Sequence, residues 1–589
     1  MPLPQYSIMR NMSKRTLWGL FLAIFLLGAF LRFWWISDIP VGLYIDEAMN
    51  GNNALEALQT RNFKLFYPEN NGREGLFINL QALALSLLGR EPWVLRSVSA
   101  VIGTLTILGI FLLCLEIFTK EHFLERTKKL KEDGTFHAMY RLHDSQIIAL
   151  LAAFFLATSY WHLNFSRIGF RAIFVPLLTT FGFYFLLRGL RRGGIFDLTL
   201  GGLITGLGFH TYIAFRVVPG IAAIPILWYL RVWWKNRKIL LPEGGPKKPC
   251  IPCSIVLFAI MAVVIALPIG LYFFDNPQDF SGRSGQVSVL AADNPAYQLA
   301  RSSVLTGAML FFFGDCNWRH NLPCKPELNP FVALSFAVGL MAMIGMLLRK
   351  RWREDNIESI HAGPMEIVML FVWIALMSLP AVLTKEGLPH ALRSIGMIPP
   401  VIIIAAFGAW WLLDRALEWF EGQKGKYPNF SHQLSRIQKE IVVLAALSLL
   451  FIPVITYRDY FLRWAFKPNT YEAFTVSLLN LGNFLERLPR STQKYVVVNS
   501  IPWVRVRGYP MEAQPIMFAT ETMREENREQ KNIRYLNTEE LSALEILPGQ
   551  KAIIAIVDPK DKKTFELLKN KFPEMKIKAP ADFIIFETQ

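Results

Sequence analysis

Residues 16–48 read TLWGLFLAIFLLGAFLRFWWISDIPVGLYIDEA. The run from Thr16 to Ile36 is overwhelmingly apolar, and about 20 such residues are what an α-helix needs to cross a bilayer. It is longer than the apolar core of a signal peptide, and no small-residue cleavage site follows it. Directly beyond it stands an acidic pair, Asp46-Glu47. The chain thus enters the membrane once and then places two carboxylates at its surface.

The pattern repeats along the chain. Apolar runs at 16–36, 93–118, 146–163, 172–189, 197–214, 217–234, 251–274, 328–348, 363–383, 395–413 and 439–457 make eleven expected spans. The segment 75–89, GLFINLQALALSLLG, is too short to cross comfortably and reads as a helix lying in or dipping into the interface. The whole chain has 589 residues, 53% hydrophobic and only 18% charged, with a mean hydropathy of +0.31. A soluble chain carries about 25% charged residues, so a soluble globular enzyme and a disordered protein are both excluded. Five cysteines exclude a disulfide scaffold.

The net charge of +16 reports topology and requires no nucleic-acid partner. With the N-terminus inside, the segments 1–15, 119–145, 188–196, 231–250, 349–362 and 414–438 face the cytoplasm and hold 26 Lys/Arg. The outer segments 37–92, 164–171, 215–216, 275–327 and 384–394, of similar total length, hold 13. This is the positive-inside asymmetry, with Arg126, Lys128, Lys129, Lys131 and the run Arg349-Lys350-Arg351 all inside. Counting 75–89 as a full span would flip the basic loop 119–145 outward. The expected fold class is an all-α polytopic membrane protein of about 11 transmembrane helices. Residues 1–457 form the membrane domain, with long outer loops 37–92 and 275–327. Residues 458–589 form a small extracytoplasmic α/β domain, helix-like at 471–488 and 561–571, strand-like at 495–500, 552–557 and 583–587.

The outer loops carry the chemistry. Asp46 and Glu47 open a helix-like stretch. One reading makes Asp46 an N-cap and Glu47 a complement to the helix dipole. The other makes a carboxylate the general base toward an acceptor hydroxyl. Neighbouring helical residues point about 100° apart, so one of the pair faces a substrate, and Asp46 is the choice. Further along the loop stand Arg73 and Glu74, and Arg96 lies three residues into the second span. Each reads singly as a solvated or snorkelling residue, or as part of an anion site. The stretch 314–324, GDCNWRHNLPC, offers Arg319, His320 and Asn321, and the stretch 384–393 offers Lys385, His390 and Arg393. Arg167, Arg171 and Arg216 occupy short outer turns. Together these cations suggest a phosphate site at the outer leaflet. His320 shows no partner histidine at ligand spacing, so no metal site is assigned. Cys316 and Cys324 are candidates for a disulfide on an oxidising side, whereas Cys250 and Cys253 read as packing residues.

These features resemble the GT-C superfamily of membrane glycosyltransferases. They are more closely similar to its protein O-mannosyltransferase and aminoarabinose-transferase-like branch. The resemblance rests on GLYIDEA (42–48), EPWVLRSVSAVIGTLTI (91–107), SRIGFRA (166–172), HTYIAFR (210–216), GDCNWRHNLPCKP (314–326) and LPHALRSIGMIPP (388–400). It runs from about residue 16 to 460. Where that branch often has His-Pro-Pro-Leu, this chain has Gly72-Arg73-Glu74-Gly75-Leu76. The resemblance implies a GT-C fold and a polyprenyl-phosphate sugar donor. The sugar passes with inversion to a hydroxyl on a protein, glycan or lipid at the outer face of the cell membrane. Asp46, with Glu47 beside it, is the catalytic carboxylate site. Arg73, Glu74, Arg96, Arg319, His320, Asn321, Lys385, His390 and Arg393 are the candidates for holding the donor. No cofactor is certain. A divalent metal stays open because oligosaccharyltransferase relatives use one. A glycosidase would need two carboxylates flanking the bond. The alternatives are a polytopic secondary transporter, with ionisable sites near the midplane, and an oligosaccharide transferase or polymerase.

Overall fold

The computed structural model describes residues 12–118, 135–240, 250–280, 289, 293–348, 363–499, 504–547, 549–580 and 582–588. Its described residues contain nine helices long and apolar enough to cross a membrane. The basic stretches 126–131 and 349–351 lie outside the described residues.

Each expected span corresponds to a helix. Helix Ile195–Gly208, at 14 residues, is shorter than a full span, whereas the helix over 146–158 runs from Thr135 to Thr158. A Cβ on Gly202 would meet the Phe258 carbonyl at 2.5 Å and Met261 Cβ at 2.8 Å, so helix Ile195–Gly208 lies backbone to backbone on helix Ile251–Asp275. At the end of the bundle read as cytoplasmic, a buried network ties three helices. Arg191 (helix Phe174–Arg192) pairs with Glu116 at 3.2 Å and Glu366 at 2.5 Å. These are the deepest acidic groups of the sequence, and both are satisfied there. Cys250 and Cys253, read above as packing residues, are joined as a disulfide.

Segment 75–89 is a separate helix, Gly75–Leu88. Phe77, Ile78, Gln81, Ala82 and Leu85 are buried, and Leu83, Leu87 and Leu88 exposed. The loop 275–327 holds a helix the sequence reading omits, Pro295–Ala308, capped by Asn294 accepting from the Tyr297 amide. The stretch 471–488 is two helices, Pro468–Ala473 and Val476–Arg487, because Thr475 breaks the run at a left-handed φ of 45°.

The C-terminal region builds a five-stranded sheet in the order Ile533–Leu536, Gln493–Val497, Ala552–Ile556, Ile584–Glu587, Lys576–Lys578. The first three strands are parallel and the last two antiparallel. The central strand Ala552–Ile556 is buried throughout, as a strand covered on both faces requires. The strands at 533–536 and 576–578 were not read from the sequence, being short and carrying Arg534, Lys576 and Lys578.

This region is seated on the first outer loop. The Leu43 amide donates to the Phe474 carbonyl at 2.9 Å, and the Thr475 hydroxyl to the Leu43 carbonyl at 2.7 Å. Gly42, at a φ of +70°, permits the approach, since a side chain there would strike the Phe474 carbonyl and Val476. Asn52 donates to the carbonyl and side-chain oxygens of Gln514 at 3.0 and 2.8 Å. Arg507 reaches Glu56 at 2.7 Å and Glu69 at 3.0 Å.

Candidate active site

The acidic pair opens helix Ile45–Thr60, and the structure divides the two carboxylates sharply. The N-cap is Tyr44, and the capping carboxylate is Glu47, which accepts from the Tyr44 amide at 3.2 Å. That corrects the reading of Asp46 as the cap. Glu47 is fully buried, and both its oxygens are engaged. Oε1 accepts from Arg96 Nε at 3.0 Å and the Gly169 amide at 2.7 Å. Oε2 accepts from Arg96 Nη2 at 3.1 Å and from Tyr44. Arg96 is equally buried and spends its other donors on the carbonyls of Pro40 and Gly42. Two buried ions in a bidentate pair, each with further hydrogen bonds, meet the condition under which such a pair is tolerated away from water.

Asp46 points elsewhere. It is half-buried, and its Oδ1 accepts from Asn70 Nδ2 at 2.8 Å. Among the described residues no cation lies within 4 Å of it. Asn70 is in turn set by a turn at Asn70, Asn71 and Gly72, all with positive φ. Below that turn Arg73 is buried and donates to the side-chain oxygens of Asn50, at 2.7 Å, and Asn53. Glu74 is buried and paired with Arg171 at 2.8 Å. Arg73, Glu74, Arg96 and Arg171 are thus structural members of one buried lattice behind Asp46. Arg167 joins it, donating to the carbonyls of Leu31, Arg32 and Ile39 at 3.0, 2.7 and 2.7 Å.

The second and third outer loops meet in front. Arg319 lies 4.3 Å over the ring of Tyr44, two residues from Asp46. Its Nε donates to Asn317 Oδ1 at 3.1 Å. Among the described residues no carboxylate lies within 4 Å of Arg319 or Lys385. His320 is buried, packs on Phe165, and its Nδ1 is 2.9 Å from Asp315 Oδ2. Burial lowers the His320 pKa, and Asp315 opposes that only in part. His390 lies beside it, ring centroids 4.8 Å apart, with Nδ1 4.0 Å from the same Asp315 oxygen. No histidine stands at ligand spacing from His320 in the sequence; the neighbouring ring comes from a loop 70 residues away. Asn321 is turned inward, donating to Glu327 Oε1 at 3.1 Å. Burial pushes the Glu327 carboxyl well up. Arg393 donates to the Glu386 carbonyl at 3.3 Å. Cys316 and Cys324 are joined as a disulfide, closing the loop that bears Arg319 and His320.

A cavity of about 550 Å³ opens beside this loop, walled by Trp318, Leu322, Pro323, Pro330 and Ile455. On its rim Lys325, Arg458 and Arg463 converge on the buried Asp459. Sequence reasoning missed Tyr44, Asn50, Asn53, Asn70 and Asp315. One signal was available. Asn50-Gly51-Asn52-Asn53 puts four poor helix formers inside a helix, which suggests that their side chains serve something other than the helix.

No family model matches this sequence, and no curated protein does. Among solved structures the chain is similar to ArnT from Cupriavidus metallidurans bound to undecaprenyl phosphate, with 12% identity, 98% of each chain covered and a TM-score of 0.48. It is also similar to the Archaeoglobus fulgidus oligosaccharyltransferase, with 11% identity and a TM-score of 0.42, over 86% of this chain and 64% of that one. A third is the arabinofuranosyltransferase AftD from Mycobacteria, with 12% identity and a TM-score of 0.40, over 98% of this chain and 40% of that one. The chain therefore spans less than two thirds of the second and third of these proteins. At TM-scores below 0.5 these likenesses decide neither fold nor activity, which stand on the chain's own residues.

Proposed function

We propose that this chain is a GT-C-type integral-membrane glycosyltransferase that moves a sugar from a polyprenyl-phosphate donor to an acceptor hydroxyl, with inversion. The observation that carries the reading is the division of the acidic pair. Glu47 is locked into the protein, while among the described residues Asp46 accepts from Asn70 with no cation within 4 Å, and Arg319, stacked on the ring of Tyr44 two residues from Asp46, has no carboxylate within 4 Å. A base and a cation gathered in one cluster of outer loops suit a reaction that takes a proton at one end and releases an anion at the other.

In this reading Asp46 accepts the acceptor's proton as its oxygen attacks the anomeric carbon. The bond from that carbon to the phosphate oxygen breaks, and the lipid phosphate departs with the electron pair. The phosphate leaves already ionised, so one carboxylate suffices. Arg319 opposes the charge that accumulates on the leaving group, with Lys385, His390 and Arg393 on the adjoining loop. Asn70 orients Asp46, and the Glu47–Arg96 pair holds the start of the helix that carries Asp46. The apolar-walled recess beside Trp318 takes part of the prenyl chain. The Lys/Arg asymmetry puts this face outside the cell membrane, and residues 458–589 act as a clamp over the first loop.

The test is sugar transfer from polyprenyl-phosphate donors by purified protein in nanodiscs. Asp46→Asn is expected to abolish transfer, a loss of at least 10²-fold, while the protein keeps the unfolding profile of the parent. Full activity in that variant, or solute flux in place of transfer, would retire the reading.

A further inference from the structure

We propose that Asp315, His320 and His390 form a binding site for one divalent transition-metal ion of the zinc class. One ligand atom from each of the three lies within 4.8 Å of the others. His320 Nδ1 and Asp315 Oδ2 are 2.9 Å apart, and His390 Nδ1 and the same oxygen 4.0 Å. Zinc bound at about 2.0–2.1 Å by nitrogen and oxygen sets tetrahedral ligand atoms roughly 3.3 Å apart. These two separations straddle that value.

His390 Nδ1 accepts from the Arg393 amide at 3.4 Å, a long hydrogen bond, and the two imidazoles lie side by side on Asp315 with ring centroids 4.8 Å apart. The ligands are also held in advance. The Asn317 amide donates to Asp315 Oδ1 at 2.8 Å and the Ala391 amide to Oδ2 at 2.9 Å. The Cys316–Cys324 disulfide closes the loop that carries His320 and begins directly after Asp315.

Two histidines and one carboxylate leave a fourth position open, the pattern of sites that bind an exchangeable ligand. Arg319 adjoins His320 in the second loop, and Arg393 lies three residues beyond His390. A dication in that cationic setting would recruit a phosphate oxygen as its fourth ligand. This last step rests on the transfer reading, whereas the ion site does not.

The test is zinc uptake by the full chain in nanodiscs after chelator treatment, with no donor or acceptor present. One equivalent of Zn2+ per chain is expected by calorimetry. In His320→Ala and His390→Ala its affinity should fall at least about tenfold, while His432→Ala leaves it unchanged. No uptake by the parent, or unchanged affinity in both site variants, overturns the proposal. Co2+ reads the parent protein without any substitution. Intense visible bands of a four-coordinate site are expected, and only the weak bands of aqua-cobalt would overturn it. A protein that binds zinc but transfers no sugar retires the transfer reading alone. One that transfers sugar yet takes up no zinc retires the metal site alone.

Discussion

Replacing Glu47 by Gln changes one oxygen to an amide nitrogen, and the structure indicates what that costs. Four donors point at the two carboxylate oxygens: Arg96 Nε and the Gly169 amide at one, Arg96 Nη2 and the Tyr44 amide at the other. Whichever oxygen becomes NH2, two donors then face a donor, and the fully buried Arg96 loses its counter-ion. Breaking a buried pair by removing one partner costs about 3–5 kcal/mol. Asp46 is next in sequence, yet its one hydrogen bond, from Asn70, is worth only about 1 kcal/mol. The two variants should therefore separate. Glu47→Gln is expected to lower unfolding stability by about 3–5 kcal/mol, and Asp46→Asn by no more than about 1 kcal/mol. The assay is denaturant unfolding in a fixed detergent, with limited proteolysis of residues 37–92 as a local readout. A Glu47→Gln protein as stable and protease-resistant as the parent would refute the argument that this carboxylate is locked.

Arg319→Ala should weaken apparent donor binding by roughly 10–100-fold, the worth of one charge-assisted hydrogen bond to a phosphate. Unchanged apparent affinity in donor titrations would remove Arg319 from the site. Gly42→Ala forces a side chain at positive φ into the Phe474 carbonyl, and is expected to destabilise by at least about 1 kcal/mol. Faster proteolysis at the junction of the first loop and the C-terminal region would report it. Burial alone would raise the Glu69 carboxyl, but the Arg507 hydrogen bond reverses this and holds its pKa below the usual 4.5. A depressed carboxylate stabilises above its unfolded pKa and loses that contribution as pH falls through the folded value. The Arg507 contact should accordingly hold at pH 5 and loosen only below 4.5, read by hydrogen exchange at 504–510. Loosening already at pH 6 would contradict it.

The spans were legible because membrane insertion depends on a one-dimensional quantity, the apolar length of a segment, and eleven runs became helices. The strands expected at 495–500, 552–557 and 583–587 were legible for a related reason, being largely apolar and β-branched runs, although the first lies at Gln493–Val497 and begins on two polar residues. The roles within the acidic pair were not. Asp46 and Glu47 are adjacent and chemically alike. What separates them is Arg96, some fifty residues on, and the Gly169 amide, more than a hundred residues on, which claim one and leave the other. The outer cations divide in the same way. Arg73, Arg96, Arg167 and Arg171 neutralise or cap the protein itself, whereas among the described residues Arg319 and Lys385 have no carboxylate within 4 Å. The sequence by itself determined that this is a polytopic membrane chain with its polar chemistry gathered in three loops. It also determined that the acidic pair stands at the surface just beyond the first span. Only the tertiary structure decided which carboxylate is locked by partners, which cations are paired within the protein, and that His390 stands beside His320. Hydropathy is a sum over neighbours in the chain, while a charge's availability depends on partners brought from far along it.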